Sequence, residues 1–511
     1  MALDKPWLNQ YGAGVPATIN PDTYPSLVEL LEDAFRTHAS QDMMAYMGSR
    51  WTFANIEAQS KHLAAWLQAQ RLSKGARVAV MMPNVPHYAV AIAGILRAGH
   101  VVVNVNPMYT PRELEHQLKD SGAEAIIVLE YIGPTVQEVI DRTPVKHIVL
   151  ASLGDVFGPL KGPWMTYKSR KVDRHVIDFE LPDDGRRVLT PMKRALAEGK
   201  RLSYSRPALK GSDVAFLQYT GGTTGDATGV MLSHRNIIAN LLQAKAWVGD
   251  QLDQDKQETN VTLLPLYHIF SLTVNCLMFM CLGGRNILIA NPRDVKRVQM
   301  ILRKERFNGI AGVNTLFNGL LENKEFCARD FSDLRMVIAG GMATHTAVAK
   351  RWKEVTGLPI IEGYGLTECS PVVSISPIDI ARMREGDFTG TIGVPLPSTW
   401  VRFVREDGEL AELGEEGELQ VRGPQVMKGY WQRPEETAKV LDRHGWLSTG
   451  DIGVMNEQGF IRLVDRKKDM ILVSGFNVYP NEIEDVVALH PGVAEVAAIG
   501  VEDGVTGEKV K

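Results

Sequence analysis

The sequence predicts an α/β fold made of several subdomains, for three reasons. The chain has 511 residues, which is too long for one compact hydrophobic core. Over most of its length, short apolar runs rich in β-branched residues alternate with segments whose apolar residues recur at helical spacing, a pattern typical of βαβ units and parallel sheets. Between residues 390 and 464 the pattern changes to short strands separated by Gly-rich turns, which indicates an antiparallel, barrel-like subdomain.

The alternation is clearest in the first 150 residues. Helices are predicted at Ser26–Thr37 and Phe53–Gln70, where apolar residues recur every three or four positions. The predicted strands are Arg77–Met82, Val101–Val105, Ala125–Leu129 and His147–Ala151. Together these elements predict the first βαβ-type sheet.

Residues 155–210 interrupt the alternation. Trp164, Met165 and Tyr167 stand there among basic residues, and we interpret the segment as a surface excursion between two sheet regions. Two interpretations of its charges remain open: an ordinary solvated loop, or a contact with an anionic membrane surface.

The remaining chain is predicted to form a second sheet region, the barrel-like subdomain and a small last domain. The α/β alternation resumes from Asp213 to about Ile375. The strands predicted within the barrel-like subdomain are Val401–Arg405, Glu418–Val421 and Phe460–Val464. A dense charge run at 465–469 lies between two apolar strands, and an α/β pattern starts afresh at Met470. We therefore expect a large N-terminal domain (1–464), a hinge or linker (465–469) and the start of a C-terminal α+β domain (470–511).

Composition and charge argue against several classes of protein. A formal net charge of −4 disfavours a general nucleic-acid binder, which normally carries a basic surplus. The four cysteines have neither CxxC spacing nor a pairing pattern, so neither a zinc site nor a disulfide framework is expected, and a reducing cytosol fits better. Val261–Gly284 lacks charged residues, but Pro265, His268 and Asn275 interrupt it, so a strand end, a loop and a buried helix are predicted rather than a membrane span.

The segment from Gln218 to Gly229 is the strongest candidate for an anion site. It follows the apolar run Val214–Leu217 and precedes a helix predicted from His234. Its glycines let the backbone approach an anion closely, and its threonine hydroxyls add donors. The candidate phosphate ligands are Thr220, Gly221, Gly222, Thr223, Thr224 and Gly225. The segment lacks the GxxxxGK sequence of a Walker A loop, and a Gly/Thr-rich turn without a ligand remains the alternative.

Three further motifs follow in a fixed order. They are Glu362–Glu368 (EGYGLTE), Gly445–Asp451 (GWLSTGD) and Asp465–Asp469 (DRKKD). With the Gly/Thr loop they resemble the adenylate-forming superfamily of acyl-CoA synthetases, luciferases and peptide-synthetase adenylation domains, over nearly the whole chain. Three additional segments are similar to the bacterial long-chain fatty-acid branch: Leu264–Phe270, Gly312–Phe317 and Ser474–Pro480.

The resemblance implies an ATP-dependent ligase that converts a fatty acid to an acyl-adenylate and then transfers the acyl group to coenzyme A. It implies Mg²⁺ as cofactor, a cytoplasmic location with peripheral contact to the inner membrane, a homodimer, and a C-terminal domain that rotates about its hinge. The rival functions are an acyl-AMP ligase that loads a carrier protein, and a catalytically impaired acyl- or nucleotide-binding protein.

The resemblance also assigns roles to residues. Catalysis is assigned to Thr223, Thr367, Glu368 and Arg466, with Glu368 and Thr223 as Mg²⁺ ligands. Adenine and ribose contacts are assigned to Gly341, Glu362, Gly363, Tyr364, Asp451 and Arg466. Fatty-acid contacts are assigned to His268, Val313 and Gly340, and the hinge to Asp465. Taken alone, Tyr364 could be a packed aromatic, Asp451 a turn residue, His268 a structural histidine and Ile269–Leu282 ordinary core rather than the wall of an acyl tunnel.

The chain departs from the family pattern in two places. Thr228 stands where relatives usually carry a lysine in the phosphate loop, which removes one positive charge near the triphosphate. The resemblance also places an essential late lysine beyond Lys511, so we expect that a C-terminal part of the protein is missing from this sequence.

Overall fold

The computed structural model describes residues 5–172, 178–220, 227–249, 252, 256–378, 390–466, 470–473, 476–478, 480–488, 490, 492–493, 496–503 and 507–511. Strands in the first half are β1 (Asp42–Tyr46), β2 (Ser49–Thr52), β3 (Arg77–Met81), β4 (Val101–Val105), β5 (Ala125–Leu129), β6 (His147–Ala151), β7 (Val188–Pro191), β8 (Val214–Thr220), β9 (Thr228–Ser233) and β10 (Thr259–Thr262). They continue as β11 (Arg285–Leu288), β12 (Gly309–Gly312), β13 (Met336–Ala339), β14 (Ile361–Gly365), β15 (Val372–Ile375), β16 (Val394–Pro395), β17 (Trp400–Val404), β18 (Gly417–Arg422), β19 (Gly429–Tyr430), β20 (Leu447–Met455), β21 (Ile461–Arg466), β22 (Ile471–Val473), β23 (Phe476–Val478), β24 (Gly500–Asp503) and β25 (Gly507–Val510).

The α-helices of the described residues flank these strands. Their bounds are Leu27–Thr37, Phe53–Ala69, Pro86–Ala98, Pro111–Ser121, Gly133–Val139, Lys161–Tyr167, Met192–Gly199, His234–Val248, Met278–Cys281, Val295–Leu302, Asn314–Leu321, Lys324–Cys327, Thr346–Thr356, Pro434–Val440 and Pro480–Ala488. The first two begin where the sequence predicts. Ser26 Oγ accepts a hydrogen bond from Val28 N at 3.1 Å, and Thr52 forms a capping box with Asn55, so side chains satisfy the free N–H groups of each first turn.

Two large mixed sheets, mostly parallel, form the body of the protein, as the α/β pattern predicts. One has the strand order β19-β9-β8-β4-β3-β5-β6-β7, and the other β16-β15-β14-β13-β12-β10-β11-β1-β2. Strands such as Val101–Val105 are buried at every position, because helices cover both faces of a parallel sheet. The first four predicted strands are confirmed to within one residue.

Residues 155–210 are only partly a surface excursion. β7 extends the first sheet by pairing in parallel with β6. The helix Met192–Gly199 packs on Phe53–Ala69, and a Cβ at Gly199 would lie 1.9 Å from the carbonyl oxygen of His62, so only glycine allows this approach. The sequence did not reveal these elements because both are short and their outer faces are polar.

The antiparallel subdomain expected at 390–464 is a four-stranded sheet with the order β17-β18-β20-β21. Within the described residues its end strands do not pair with each other, so the sheet is open. Two strands from the same stretch leave it: β16 joins one large sheet and β19 the other. Its last strand also runs two residues past the predicted boundary, to Arg466. A fourth sheet, β23-β22-β25-β24, follows with the helix Pro480–Ala488.

The uncharged stretch after Val261 has the predicted form of a strand end, a loop and a helical segment, Ser271–Cys281. None of the helices that the structure describes is long and apolar enough to cross a membrane. All four cysteines are free thiols.

A buried asparagine joins the two large sheets. Asn84 follows β3 of the first sheet and is almost fully buried. Its side-chain amide donates to the carbonyl oxygens of Thr262 and Leu264 at 3.2 and 2.9 Å, and its side-chain oxygen accepts from Leu266 N at 2.8 Å. These three hydrogen bonds hold the chain that leaves β10 of the second sheet.

We expect Asn84→Ala to lower the free energy of unfolding by about 1–3 kcal/mol, because buried backbone groups lose their partners. The matched control is Asn20→Ala, which removes an exposed hydrogen bond to Asp22 N and should cost no more than about 0.5 kcal/mol. Urea unfolding followed by circular dichroism measures both variants. If both variants lost the same small amount of unfolding free energy, the result would show that Asn84 does not hold the two sheets together.

Candidate functional site

A cavity of about 1380 Å³ lies where the two large sheets and the antiparallel sheet meet. The carboxyl ends of parallel strands from both large sheets open into it, which is where ligands bind in α/β proteins. Asn104 and Asn106 come from the end of β4, Thr220 from β8, and Gly340 and Gly341 from the end of β13. Gly341 has φ of +84°, a conformation that favours glycine at this turn.

One wall of the cavity consists of the end of β14 and the segment that follows it. Gly363, Tyr364, Thr367 and Glu368 all line it, so the structure brings these four predicted site residues together. The turn is tight: a Cβ at Gly365 would lie 2.3 Å from the carbonyl oxygen of Pro371, which excludes any other residue.

Glu368 has a partner that the sequence did not reveal. The hydroxyl of Tyr430 donates to Glu368 Oε1 at 2.8 Å, and burial beside this carboxylate raises the Tyr430 pKa. β19 brings the tyrosine to this position by pairing with β9 of the first sheet. The pairing spans more than 190 residues, so no local pattern could have indicated it.

Asp451 and Arg466 line the cavity next to Tyr364. The Tyr364 hydroxyl donates to Asp451 Oδ2, and Arg466 Nε lies 3.3 Å from Asp451 Oδ1. Burial and the adjacent carboxylate raise the pKa of Tyr364 well above its ordinary value, so its hydroxyl stays protonated and remains a donor. Asp451 and Arg466 are directly opposed in the β20–β21 ladder, which fixes their pairing.

Five residues of the predicted phosphate loop, Gly221, Gly222, Thr223, Thr224 and Gly225, lie outside the described residues. Both ends of the loop are described, and Thr220, Ala227 and Thr228 line the cavity. β8 and β9 pair antiparallel up to the Thr220–Thr228 pair, so the loop is the turn of a β-hairpin.

A charged cluster supports this hairpin from behind, and sequence reasoning missed it. Asp120 accepts hydrogen bonds from the Tyr219 hydroxyl at 2.8 Å and from Arg433 Nη2 at 2.7 Å. His116 lies with Nε2 3.1 Å from the carbonyl oxygen of Ala227. Arg433 and His116 also line the cavity, so two cationic or titratable groups stand near the loop.

His268 faces the cavity rather than the hydrophobic core. Its loop is held by Gln218, whose side-chain amide donates to the carbonyl oxygen of Tyr267, and by Asn104, which bonds Gln218 Oε1 at 3.0 Å. Desolvation by the cavity walls lowers the pKa of the His268 imidazole, which favours the neutral ring. His268 Nδ1 also accepts a hydrogen bond from Phe270 N at 3.3 Å, and the role of His268 in binding a fatty acid remains a prediction.

The other end of the cavity is apolar. Phe270, Val274 and Met278 line it from the uncharged helical segment, as the tunnel hypothesis requires. The helix His234–Val248 adds Trp247 and Val248, which the sequence did not single out because they read as ordinary core positions on an amphipathic helix.

Three predicted site residues are not on the cavity wall. Glu362 accepts a hydrogen bond from Thr344 N at 3.1 Å, and Val313 directly precedes the helix Asn314–Leu321. Asp465 is buried in β21, where it pairs with Ile452, next to the undescribed residues 467–469. Their assigned roles remain predictions.

The chain matches a family model described as AMP-binding enzyme over residues 31–431. A long-chain-fatty-acid–CoA ligase from Escherichia coli O157:H7 is 53% identical over 511 residues, which cover 100% of this chain and 89% of that protein. The ATP-bound structure of MatB from Rhodopseudomonas palustris aligns with a TM-score of 0.75 at 26% identity, over 94% of this chain and 87% of that one. A long-chain-fatty-acid–CoA ligase structure from Archaeoglobus fulgidus shares the fold, with a TM-score of 0.73 at 23% identity over 96% and 91% of the two chains.

These similarities confirm the resemblance that the four ordered motifs indicate. The family model spans the strands of the two large sheets, from within the first helix to the strand that carries Tyr430. The protein belongs to the AMP-binding enzyme family.

Proposed function

We propose that the protein is an ATP-dependent, AMP-forming long-chain fatty-acid–CoA ligase. The observation that carries this proposal is a single cavity with two chemically different ends. One end presents Thr367, Glu368, Asp451 and Arg466, and the other is walled by apolar side chains. The 53% identity to a long-chain-fatty-acid–CoA ligase over the whole chain supports the same function.

The first half-reaction uses both the polar and the apolar end of the cavity. The fatty carboxylate attacks the α-phosphorus of ATP in line, a P–O bond forms as the bond to pyrophosphate breaks, and acyl-adenylate remains. Phosphoryl transfer of this kind depends on positioning and on neutralising charge. In our proposal Thr367 donates to the α-phosphate. The uncharged His268 donates a hydrogen bond to the carboxylate of the acid at the junction of the two halves.

Nucleotide binding requires Asp451 to change partners. A carboxylate can accept both ribose hydroxyls, but Asp451 already binds the Tyr364 hydroxyl and Arg466. We infer that the ribose replaces one of these contacts. Tyr364 can then stack on adenine, and Arg466 is released towards the phosphates.

The residues present fit Mg²⁺ that enters with ATP. Within the described part of the chain, no group of three or more His, Cys, Asp or Glu side chains could hold a metal ion by itself. Glu368 offers one carboxylate on the cavity wall, and Mg²⁺ is commonly bound by one or two carboxylates together with substrate phosphates. Bound there, the ion would neutralise phosphate charge, while Tyr430 holds the Glu368 carboxylate in place.

In the second half-reaction the coenzyme A thiolate attacks the acyl carbonyl, a C–S bond forms, and AMP leaves. We infer that residues 465–469 are the hinge on which the C-terminal domain turns between the two steps, because such a turn would admit a second substrate to the same cavity. A homodimer and a cytoplasmic location remain predictions from the resemblance.

Release of AMP with palmitate, measured with and without coenzyme A, tests the function. We expect AMP release to depend on palmitate and to rise with coenzyme A, with palmitoyl-CoA formed in equal amount. Acyl-adenylate that transfers only to a carrier protein would identify an acyl-AMP ligase. Nucleotide binding without palmitate-dependent pyrophosphate release would identify an impaired relative and contradict the proposal.

Two substitutions should separate the roles of the polar residues. Glu368→Gln keeps the shape but loses the charge, so kcat should fall more than the KM for ATP changes. Asp451→Ala should mainly raise the KM for ATP, by about 10- to 100-fold, consistent with loss of a charge-assisted hydrogen bond. Steady-state kinetics provide both values, with the exposed turn variant Asp407→Ala as control. Wild-type kinetics in both site variants would contradict the assignment.

The apolar end should set the length of acyl chain that is accepted. Val274→Phe adds volume at the cavity wall, so a long chain should lose contact there while octanoate is unaffected. Because each buried methylene is worth about 0.8 kcal/mol, displacement of two would lower the palmitate-to-octanoate ratio of kcat/KM by about tenfold. ATP affinity, measured by calorimetry, serves as the control. An unchanged ratio would place the acyl chain elsewhere.

A further inference from the structure

The helix Pro111–Ser121 contacts both limbs of the hairpin formed by β8 and β9. On the β8 limb, the Tyr219 hydroxyl donates to Asp120 at 2.8 Å. On the other limb, Nε2 of His116 lies 3.1 Å from the carbonyl oxygen of Ala227, which directly precedes β9. Residues four positions apart lie on one face of a helix, so the same face makes both contacts. The helix therefore fixes the hairpin from outside, in addition to the pairing of its own strands.

Tyr219 is closely packed between the helix and the hairpin. It is paired with Gly229 on β9, and a Cβ at Gly229 would lie 3.1 Å from the Tyr219 ring, which is tighter than ordinary contact. Burial and the adjacent Asp120 carboxylate raise the pKa of Tyr219, so its hydroxyl stays protonated and remains the donor. The Asp120 carboxylate is therefore held against the stem of the hairpin.

Asp120 in turn holds a cation at the cavity. Nη2 of Arg433 donates to Asp120 at 2.7 Å. The Arg433 side chain is 42% exposed, whereas that of Asp120 is only 9% exposed. Arg433 also lines the cavity. A carboxylate with little exposure thus holds a guanidinium group that a ligand in the cavity can reach.

Backbone pairing brings Arg433 to the place where the chain lacks a charge. Trp431 N donates to the carbonyl oxygen of Gly229 at 2.7 Å, and Arg433 follows two residues after Trp431. Gly229 directly follows Thr228, which lines the cavity and stands where relatives usually carry a lysine. A cation from a distant segment therefore lies beside the stem from which that lysine is absent.

The lysine and the other arginine that line the cavity within the described residues are placed differently. Arg466 pairs with Asp451, the residue that the proposed function assigns to the ribose. Lys439 pairs with Glu436 on its own helix, and both side chains are more than half exposed. Exposed pairs of this kind contribute little to fixing a side chain. Arg433 differs because its carboxylate partner also bonds the hairpin.

We propose that Arg433 binds the β- and γ-phosphates of ATP and takes the place of the lysine that relatives usually carry at position 228. When ATP enters, the guanidinium group exchanges Asp120 for phosphate oxygens, because a phosphate accepts the same parallel hydrogen bonds as a carboxylate. Asp120 keeps its hydrogen bond from Tyr219. The inference rests on the proposed function, in which Asp451 binds the ribose of the same nucleotide.

Isothermal titration calorimetry of the full chain with ATP and with AMP tests the proposal. Arg433→Met removes the charge and keeps a long side chain, so ATP should bind about 10- to 100-fold more weakly, as expected for loss of a charge-assisted hydrogen bond. AMP lacks the β- and γ-phosphates and should bind the variant and the wild type equally. Equal losses for ATP and AMP would reveal a general disturbance of the site and would overturn the proposal.

Thr228→Lys supplies a second test, because it returns a cation to the position that carries one in relatives. In the Arg433→Met background it should strengthen ATP binding by about tenfold more than in the wild type, since groups that serve the same phosphate have non-additive effects. Equal gains in both backgrounds would show that the two positions act independently, which would overturn the proposal. Arg433→Lys keeps the charge and should weaken ATP binding less than Arg433→Met does.

The matched control is Arg405→Met. Arg405 also pairs with carboxylates and has a similar exposure of 39%, but it lies after β17 and outside the cavity. This variant should bind ATP like the wild type. ATP binding that Arg433→Met leaves unchanged would overturn this inference and leave the proposed function standing. Absence of ATP binding by the wild type would contradict the proposed function and overturn this inference with it.

Discussion

The site depends on a set of buried amide side chains that bind the two large sheets to each other. Asn84, Asn104 and Gln218 all come from the first sheet. Asn84 and Gln218 donate to the backbone that leaves β10 of the second sheet, and Asn104 donates to Gln218. A buried amide group that loses its hydrogen-bond partner lowers the stability of the folded protein. Each hydrogen bond of the network therefore helps to keep the neighbouring ones in place. The network fixes Tyr267 and His268 against the end of β8, where the phosphate loop begins. The cavity therefore forms where the two sheets meet, and neither sheet alone would form it.

The sequence could predict what depends on local periodicity and on ordered motifs. Strands such as Val101–Val105 and helices such as His234–Val248 have their predicted bounds or begin where expected, because alternation and caps are encoded within a few residues. The motif residues Tyr364, Glu368, Asp451 and Arg466, which the ordered motifs singled out, all lie around one cavity. The motifs had also indicated the family before any geometry was known.

What could not be predicted depends on contacts between distant parts of the chain. Tyr430 reaches Glu368 only because β19 leaves its own subdomain and pairs with β9. Asp120 bonds both Tyr219 and Arg433. It is more than 300 residues from Arg433, and neither Asp120 nor Arg433 belongs to a recognisable motif. Trp247 shows a further limit: an apolar position on a helix has the same pattern whether it packs in the core or faces an acyl chain.

Thr228 stands where relatives usually carry a lysine, but other cationic side chains line the polar end of the cavity. The arginines and the lysine that line the cavity within the described residues each face a carboxylate. Arg433 pairs with Asp120 at 2.7 Å, Lys439 with Glu436 at 2.6 Å and Arg466 with Asp451 at 3.3 Å. A phosphate group competes well for such guanidinium groups, because it can accept the same parallel hydrogen bonds as a carboxylate. In the proposed function a triphosphate exchanges partners with cations already in place, and the Gly/Thr loop supplies backbone and hydroxyl donors rather than charge.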